Sequence, residues 1–295
     1  MEKVKVAAIQ LNLVQCTSEK DFFEVLDKLV SESVANGAKI VSFPEDLGFC
    51  IAWAKESFRV NNIMFGIEPE FESFSFKNKI EQFTNWILSR INLRIMGEWL
   101  SQKRISDIIK RVFKKLAKKH KVVVVSGTVY ERKFNGIYNT CYVYDNNGNL
   151  AGSYDKYKLV PLEKAWGVKS GKKPYPIYTK DYSIGVAICY DLDDANWINE
   201  IVRNGAQMIF SPSGGWRPYP DYPFDAEKET PQLKRSAEYR ISIVRPYCCG
   251  WLFPGLYFQG HTQIVGPQGE ILAQSTDWDK EKIFYADIPL KKKLY

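Results

Sequence analysis

The sequence has 295 residues, 45% hydrophobic and 25% charged, ordinary globular proportions that exclude a disordered chain. Its net charge of +7 is concentrated, in Lys114-Lys115, Lys118-Lys119 and Lys121 around His120 and in Lys291-Lys292-Lys293 at the end. No nucleic-acid-binding motif accompanies these residues, so the first cluster reads as a cation-rich helix end and no nucleic-acid partner is expected.

Six cysteines stand at 16, 50, 141, 189, 248 and 249 without a CxxC pair or metal-ligand spacing, and adjacent Cys248-Cys249 cannot bridge without strain. A reduced chain fits best. The opening "MEKVKVAAIQLNLV" has no signal-type apolar core, and no stretch reaches membrane-spanning length. A soluble, cytoplasmic protein is expected. With no GxGxxG and no P-loop, neither a cofactor nor a metal is expected.

Val4 to Gln10 reads as a buried strand. Ser18 is then a helix N-cap, Phe22, Val25, Leu26, Leu29 and Val30 recur at helical spacing, and Gly37 supplies the stop. "AKIVSFPED" is a second strand ending at Pro44-Glu45-Asp46, which completes a βαβ opening. "RISDIIKRVFKKLAKKH" is an amphipathic helix and "KVVVVSGTVYER" a strand. "NTCYVYDNNGNLAGSYDK" reads as a hairpin around Asn-Asn-Gly-Asn. Beyond Cys189 the pattern predicts a helix near 194–204, the strand "AQMIFSPS", a helix near 226–240 and the strand "ISIVRPYCCG". The pair "GHTQIVGP" and "GEILAQS" follows, with His261 inside a strand, and "KIFYADIPL" is a last strand. One domain over 1–295 is the simplest organisation, with a helical insertion at about 50–103. That insertion looks helical from about residue 77, with Ile80, Phe83, Ile87, Ile91 and Ile95 on one stripe. It reads as a helix packed on the body, as a substrate lid or subunit contact, or, weakest of the three, as a membrane-surface contact.

The stretch "YSIGVAICYDLDDANW", residues 182–197, ends an apolar run on one thiol and turns at once to polar residues. A core cysteine needs no such punctuation; a nucleophile at a strand tip does. A cysteine nucleophile needs a base or a positive charge beside it. Neither His120, inside the lysine cluster, nor His261 has a local context suggesting a base, so a carboxylate is favoured. Glu45 follows "IVSFP" at the mouth of a strand, Lys156 lies in "YDKYKLVP" just past a hairpin strand, and Cys189 ends "GVAIC". Each alone is compatible with an ordinary strand end. Asp191 and Asp193 read as opening the next helix.

Together, "VAAIQ", "FPE", "YDKYKLVP", "GVAICYD" and "RSAEYR…VRPYCCG…GHTQIVGPQGEILAQ" resemble the nitrilase, or carbon–nitrogen hydrolase, superfamily in order and approximate spacing. The resemblance covers nearly the whole chain, least in 50–103. It implies an α/β fold, a four-layer α-β-β-α sandwich, and a Glu-Lys-Cys triad carried onto Glu45, Lys156 and Cys189. "YDKYKLVPLEKAW" looks most like amidases and the catalytic domain of apolipoprotein N-acyltransferases, with Lys158 where those tend to read histidine. Glu163 is the nearest match to a second glutamate of the family.

On that resemblance Glu45 takes the thiol proton, and Lys156 with the backbone N–H of Tyr190 stabilises the oxyanion of an amide or nitrile substrate. A thioester then releases an acid to water. The loop "SPSGGWRPYPDYPF" is the expected substrate contact, through Ser213, Gly214 and Trp216, with Tyr219, Tyr222 and Phe224 extending a wall. The implied function is hydrolysis of a non-peptide carbon–nitrogen bond. The alternatives are acyl transfer to an amine and an inactive binding protein of the same fold. A homodimer or higher homo-oligomer is implied by the resemblance alone.

Overall fold

The computed structural model describes residues 2–13, 16, 18–51, 98, 100–172, 174–218, 230–253 and 256–292. The helix expected from about residue 77, and all but the ends of the 50–103 insertion, lie outside the described residues.

Strand β1, Lys3–Asn12, sets the layering. Ala7, Ile9 and Leu11 join one core cluster, whereas Val4, Val6 and Ala8 join another. A strand covered on both faces needs such an unbroken apolar run. The first cluster is closed by helices α1, Glu19–Ala35, and α2, Lys103–His120. Ser18 caps α1 by accepting from the Asp21 N–H at 3.1 Å, and Gly37 takes φ +87° just past its end. Asp27 of α1 binds both Lys119 and His120 at 2.7 and 2.8 Å, so the basic cluster pins one helix to the other.

The larger sheet has nine strands, eight of them in the order β5-β4-β3-β2-β1-β11-β12-β9. These are Leu150–Asp155, Gly136–Tyr144, Val123–Lys133, Ile40–Ser42, β1, Cys248–Phe253, Leu256–Gln259 and Trp216–Pro218. β15, Lys282–Pro289, runs antiparallel to Lys3–Gln10 of β1, and β11 takes over at Leu11 and Asn12. The smaller sheet has six strands in the order β14-β13-β10-β8-β7-β6, namely Ile271–Gln274, Gln263–Val265, Ser242–Arg245, Met208–Phe210, Ser183–Val186 and Ile177–Tyr178. Val6, Ala8, Val123 and Val143 of the first sheet meet Ile184, Val186, Phe210 and Val244 of the second in the middle core. A third core joins Ile209 and Ile243 to Ile198 and Ile201 of helix α4, Ala195–Arg203. Three cores separate four layers, α-β-β-α. Two shorter contributions are helices α3, Pro161–Ala165, and α5, Pro231–Tyr239.

The expected hairpin is present, with Asp145 accepting from the N–H groups of Asn147 and Asn149. Two expectations need correction. "ISIVRPYCCG" is not one strand: it divides into β10 in the small sheet and β11 in the large one. Pro246 has no N–H to continue a ladder, and the Tyr247 N–H turns to the Thr262 hydroxyl at 3.0 Å. The chain thus crosses the sandwich there. His261 lies just before β13, not inside a strand. Among the described residues no helix is long and apolar enough to cross a membrane.

Phe113 of α2 is fully buried, its ring edge-on to Phe43 at 5.1 Å and to Phe22 at 6.5 Å. Phe113→Ala empties the point where α1, α2 and β2 meet. A loss of about 3–5 kcal/mol is expected in urea unfolding; a loss below about 1 kcal/mol means the layer packs without it.

Candidate active site

The exit of β2 is shaped by β3. Gly127 takes φ +71° at a register shift in β3, and a β-carbon there would lie 2.1 Å from the Pro44 carbonyl oxygen. Only glycine permits that approach. The Thr128 N–H reaches the Pro44 carbonyl at 3.3 Å and its hydroxyl accepts from the Asp46 N–H at 3.0 Å. Pro44-Glu45-Asp46 is therefore held against the bulge, and the Glu45 side chain is turned into the protein, 4% exposed.

Glu45 meets Lys156 there. Lys156 Nζ donates to Glu45 Oε1 at 2.8 Å and lies 2.9 Å from Glu163 Oε2. Asn139 of β4 donates from Nδ2 to Glu45 Oε1 and Glu163 Oε1, both at 2.9 Å. The Gly214 N–H donates to Glu45 Oε2, and the Val160 N–H to Glu163 Oε2, each at 3.0 Å. Burial alone would push the Lys156 ammonium down, but the two carboxylates outweigh it and hold it well above the usual lysine value. Each buried ion here has a charged partner and further hydrogen bonds, the condition under which burial is tolerable.

Cys189 comes from the opposite sheet. β7 continues through Ala187 and Ile188 into a 3-10 turn, Cys189–Asp193. Cys189 takes φ +47°, uncommon for a residue with a side chain and costly unless its surroundings enforce it. Its N–H donates to the Pro212 carbonyl at 2.9 Å. Burial and then the charge of Glu45 push the thiol up to about 12, while Lys156 and Arg245 pull the other way. The resting sulfur is thus protonated, within the field of two carboxylates and two cations.

The remaining sequence candidates are placed as follows. Ser213 accepts from Arg245 Nε at 2.9 Å and donates to the Ser211 carbonyl at 3.1 Å. Gly214 is the donor that fixes Glu45. Trp216 contributes backbone to β9, pairing with Phe258; its side chain, and Tyr219, Tyr222 and Phe224, lie outside the described residues. Tyr190 is exposed, with Lys158 Nζ 4.5 Å from its ring centre. His261 is lowered to about 3 by burial and by Arg245, so it stays neutral, and His120 is committed to Asp27 on the helical layer. Asp191 does not open the next helix. It is wholly buried within the 3-10 turn, and Asp194 caps α4 instead, accepting from the Trp197 N–H at 3.0 Å.

Three residues of this site were not singled out by the sequence. Asn139 braces both glutamates. Arg245, at the end of β10, is buried with Ser213, Gln232 and the face of Tyr247 as partners, and forms no salt bridge among the described residues. Asp46 takes φ +65°, and its carboxyl is held well above the ordinary range by burial and by the charge of Glu45. The one available signal was "ISIVR", an apolar run ending on a charge, the same punctuation that marks Cys189. Among the described residues no group of His, Cys, Asp and Glu is arranged to hold a metal ion.

Residues 5–292 match the family model for carbon-nitrogen hydrolase. The chain belongs to the carbon–nitrogen hydrolase family. A 2-oxoglutaramate amidase of Bacillus subtilis strain 168 is 31% identical over 180 residues, 61% of this chain and 66% of that relative. Human omega-amidase is 24% identical over 302 residues, 99% of this chain and 91% of its own length. The enzyme class is accordingly that of a carbon–nitrogen hydrolase with amidase and omega-amidase relatives.

Solved structures share the fold. A carbon–nitrogen hydrolase from Helicobacter pylori G27 superposes with a TM-score of 0.70 at 20% identity, covering 97% of this chain and 89% of that one. An amidase from Nesterenkonia sp. AN1, solved with acrylamide, gives 0.67 at 16% identity, covering 97% and 91%. In another structure of that amidase acrylamide has added to the active-site cysteine.

Asn139→Leu removes the donor that Glu45 and Glu163 share. A stability loss of about 1–3 kcal/mol is expected in urea unfolding, the cost of leaving buried acceptors short of a partner. Parental stability means that Lys156 alone suffices to hold the pair.

Proposed function

We propose that this chain hydrolyses the amide bond of a small, non-peptide molecule through a thioester on Cys189, with Glu45 as base and Lys156 as electrophilic partner. The observation that carries the reading is the buried Lys156 ammonium, bonded to Glu45 and Glu163 and acting on the Cys189 sulfur from across the sandwich. Small amides are the ligands of the Nesterenkonia amidase, which has been solved with acrylamide and with butyramide.

As the sulfur attacks the amide carbon, its proton passes to Glu45 and the S–C bond forms. The carbonyl oxygen becomes an oxyanion. Lys156 carries three donor hydrogens, and the carboxylates account for two, leaving one for that oxygen alongside the Tyr190 N–H. Each such donor is worth roughly 3 kcal/mol in comparable sites. The C–N bond breaks, and the leaving amine takes the proton from Glu45. Glu45 then removes a proton from water, which attacks the thioester; the acid leaves and the sulfur recovers its proton. Glu163 holds Lys156 in place throughout.

Cys50, Cys141, Cys189, Cys248 and Cys249 are free thiols, which supports a reducing, cytoplasmic setting for a thiol nucleophile. The family match across 5–292 supports one domain with an insertion at about 50–103, and a homo-oligomer belongs to the reading through the family resemblance alone.

Ammonia release from butyramide tests the proposal. Cys189→Ala should abolish it with no change in the unfolding transition, and intact mass should reveal an acyl adduct on the parent protein. Retained turnover rules out this nucleophile. Glu45→Gln should lower kcat by about 10²–10⁴-fold, the usual worth of a positioned base.

The pH dependence follows from the direction of the thiol shift. The thiol is raised to about 12, so free thiolate grows only as pH climbs towards that value. Alkylation of Cys189 by iodoacetamide should still be accelerating above pH 10. A plateau near pH 9 would contradict the buried, carboxylate-flanked sulfur.

A further inference from the structure

Asp191 is a buried ionisable side chain whose partners come from both halves of the site. Its Oδ2 accepts from the Ile188 N–H at 2.9 Å, the residue immediately before Cys189. Its Oδ1 accepts from the N–H groups of Tyr157 at 3.1 Å and Lys158 at 2.6 Å, the two residues immediately after Lys156. The Tyr154 hydroxyl, two residues before Lys156, completes the set with a bond to Oδ2 at 2.8 Å. The side chain has no exposed surface.

These bonds join two sheets. Tyr154 is the penultimate residue of β5 in the nine-stranded sheet, whereas Ile188 extends β7 of the six-stranded one. The same junction is closed a second time by Trp197 of α4. Its Nε1–H donates to the Tyr154 hydroxyl at 2.6 Å, and its ring stacks on Tyr157 at 3.7 Å and 4°. Lys156 itself is held at both backbone ends, its N–H on the Asn139 carbonyl at 2.9 Å and its carbonyl accepting from Gly171 N–H at 2.8 Å. This carboxylate fixes the chain just after the ammonium relative to the chain just before the sulfur.

We infer that Asp191 is a positioning residue for the reaction, setting the Lys156 ammonium and the Cys189 sulfur in register by binding at once the backbone just after Lys156 and just before Cys189. The inference rests on the proposed roles of Cys189, Glu45 and Lys156. A four-donor arrangement of this kind suits a carboxylate and does not suit an amide. Asparagine has one acceptor oxygen, and its NH₂ would face two donors. The two loops would then relax apart, and a displacement of about 1 Å at a reacting group costs on the order of 10²-fold in rate.

Asp191→Asn is the test, read on folded protein by two measurements. Butyramide hydrolysis should lose about 100-fold in kcat with KM within about threefold, because the binding loop is untouched and only the alignment of reacting groups changes. Alkylation of Cys189 by iodoacetamide at pH 7 should slow at least fivefold. It should slow less than twofold further when Asp191→Asn is added to Lys156→Gln, since the ammonium it aligns is already gone. Parental alkylation in the single variant, or independent effects in the double variant, overturns the inference. Should Asp191→Asn not fold, Tyr154→Phe removes one of the four donors and should slow alkylation in the same direction; a parental rate there overturns it equally. A parent protein that releases no ammonia from butyramide, while Asp191→Asn still slows alkylation, overturns the amidase reading and leaves the positioning role standing.

Discussion

The site depends on one buried ammonium held between two carboxylates. Taking three charges out of water costs several kcal/mol per ion unless each is paired and hydrogen-bonded, and here the pairing is distributed over four segments. Glu45 receives Lys156, Asn139 and the Gly214 N–H; Glu163 receives Lys156, Asn139 and the Val160 N–H. Remove Lys156 and two carboxylates face each other in the interior. That one requirement explains why a strand bulge at Gly127, a buried asparagine in β4 and a five-residue helix at Pro161–Ala165 all converge where they do.

The second requirement is that the two sheets stay at a fixed separation. Glu45, Asn139 and Lys156 arise from the nine-stranded sheet, Cys189 and Arg245 from strand ends of the six-stranded one, and Gly214 from the connection between β8 and β9 that joins the two. The middle core of Val6, Ala8, Ile184, Val186 and Phe210 therefore sets the distance between the Glu45 carboxylate and the Cys189 sulfur. Interiors pack at crystal-like density and transmit small volume changes. Packing and chemistry are coupled here through geometry: the Gly214 N–H, on the connection that crosses from one sheet to the other, ends on the Glu45 carboxylate.

Much of this was legible in the sequence because it rests on local pattern. The run "IGVAIC" followed by "YD" marks a strand that delivers a thiol, and "IVSFPE" marks the strand that delivers an acid. What stayed hidden depends on partners distant in the chain. Asn139 sits among strand-forming residues and betrays nothing, because its value lies in two glutamates at positions 45 and 163. Asp191 has the spacing of a helix opener, and only the fold brings Tyr154, Tyr157 and Lys158 to it. "ISIVRPYCCG" has uniform strand propensity on both sides of Pro246, and propensity does not say that its halves enter different sheets. Trp216, Tyr219, Tyr222 and Phe224 contribute no described side chain to the site, so the substrate wall is argued from the sequence alone.

The electrostatics separate this site from those that keep a preformed thiolate. Where an imidazolium sits beside the sulfur, the charge is present before any substrate arrives. Here burial and Glu45 oppose the thiolate, His261 is neutral, and Lys156 is already engaged by two carboxylates. Moving the thiol proton to Glu45 leaves the net charge of the site unchanged. Attack and proton transfer can therefore proceed together without accumulating charge in a low-dielectric interior, where uncompensated charge is most costly. A sulfur kept protonated until a carbonyl is in place is also a poor target for adventitious oxidants and alkylating agents, whose reaction follows thiolate character and exposure. The raised thiol is thus compatible with nucleophilic work, because Glu45, which together with burial raises it, is also the group proposed to accept its proton.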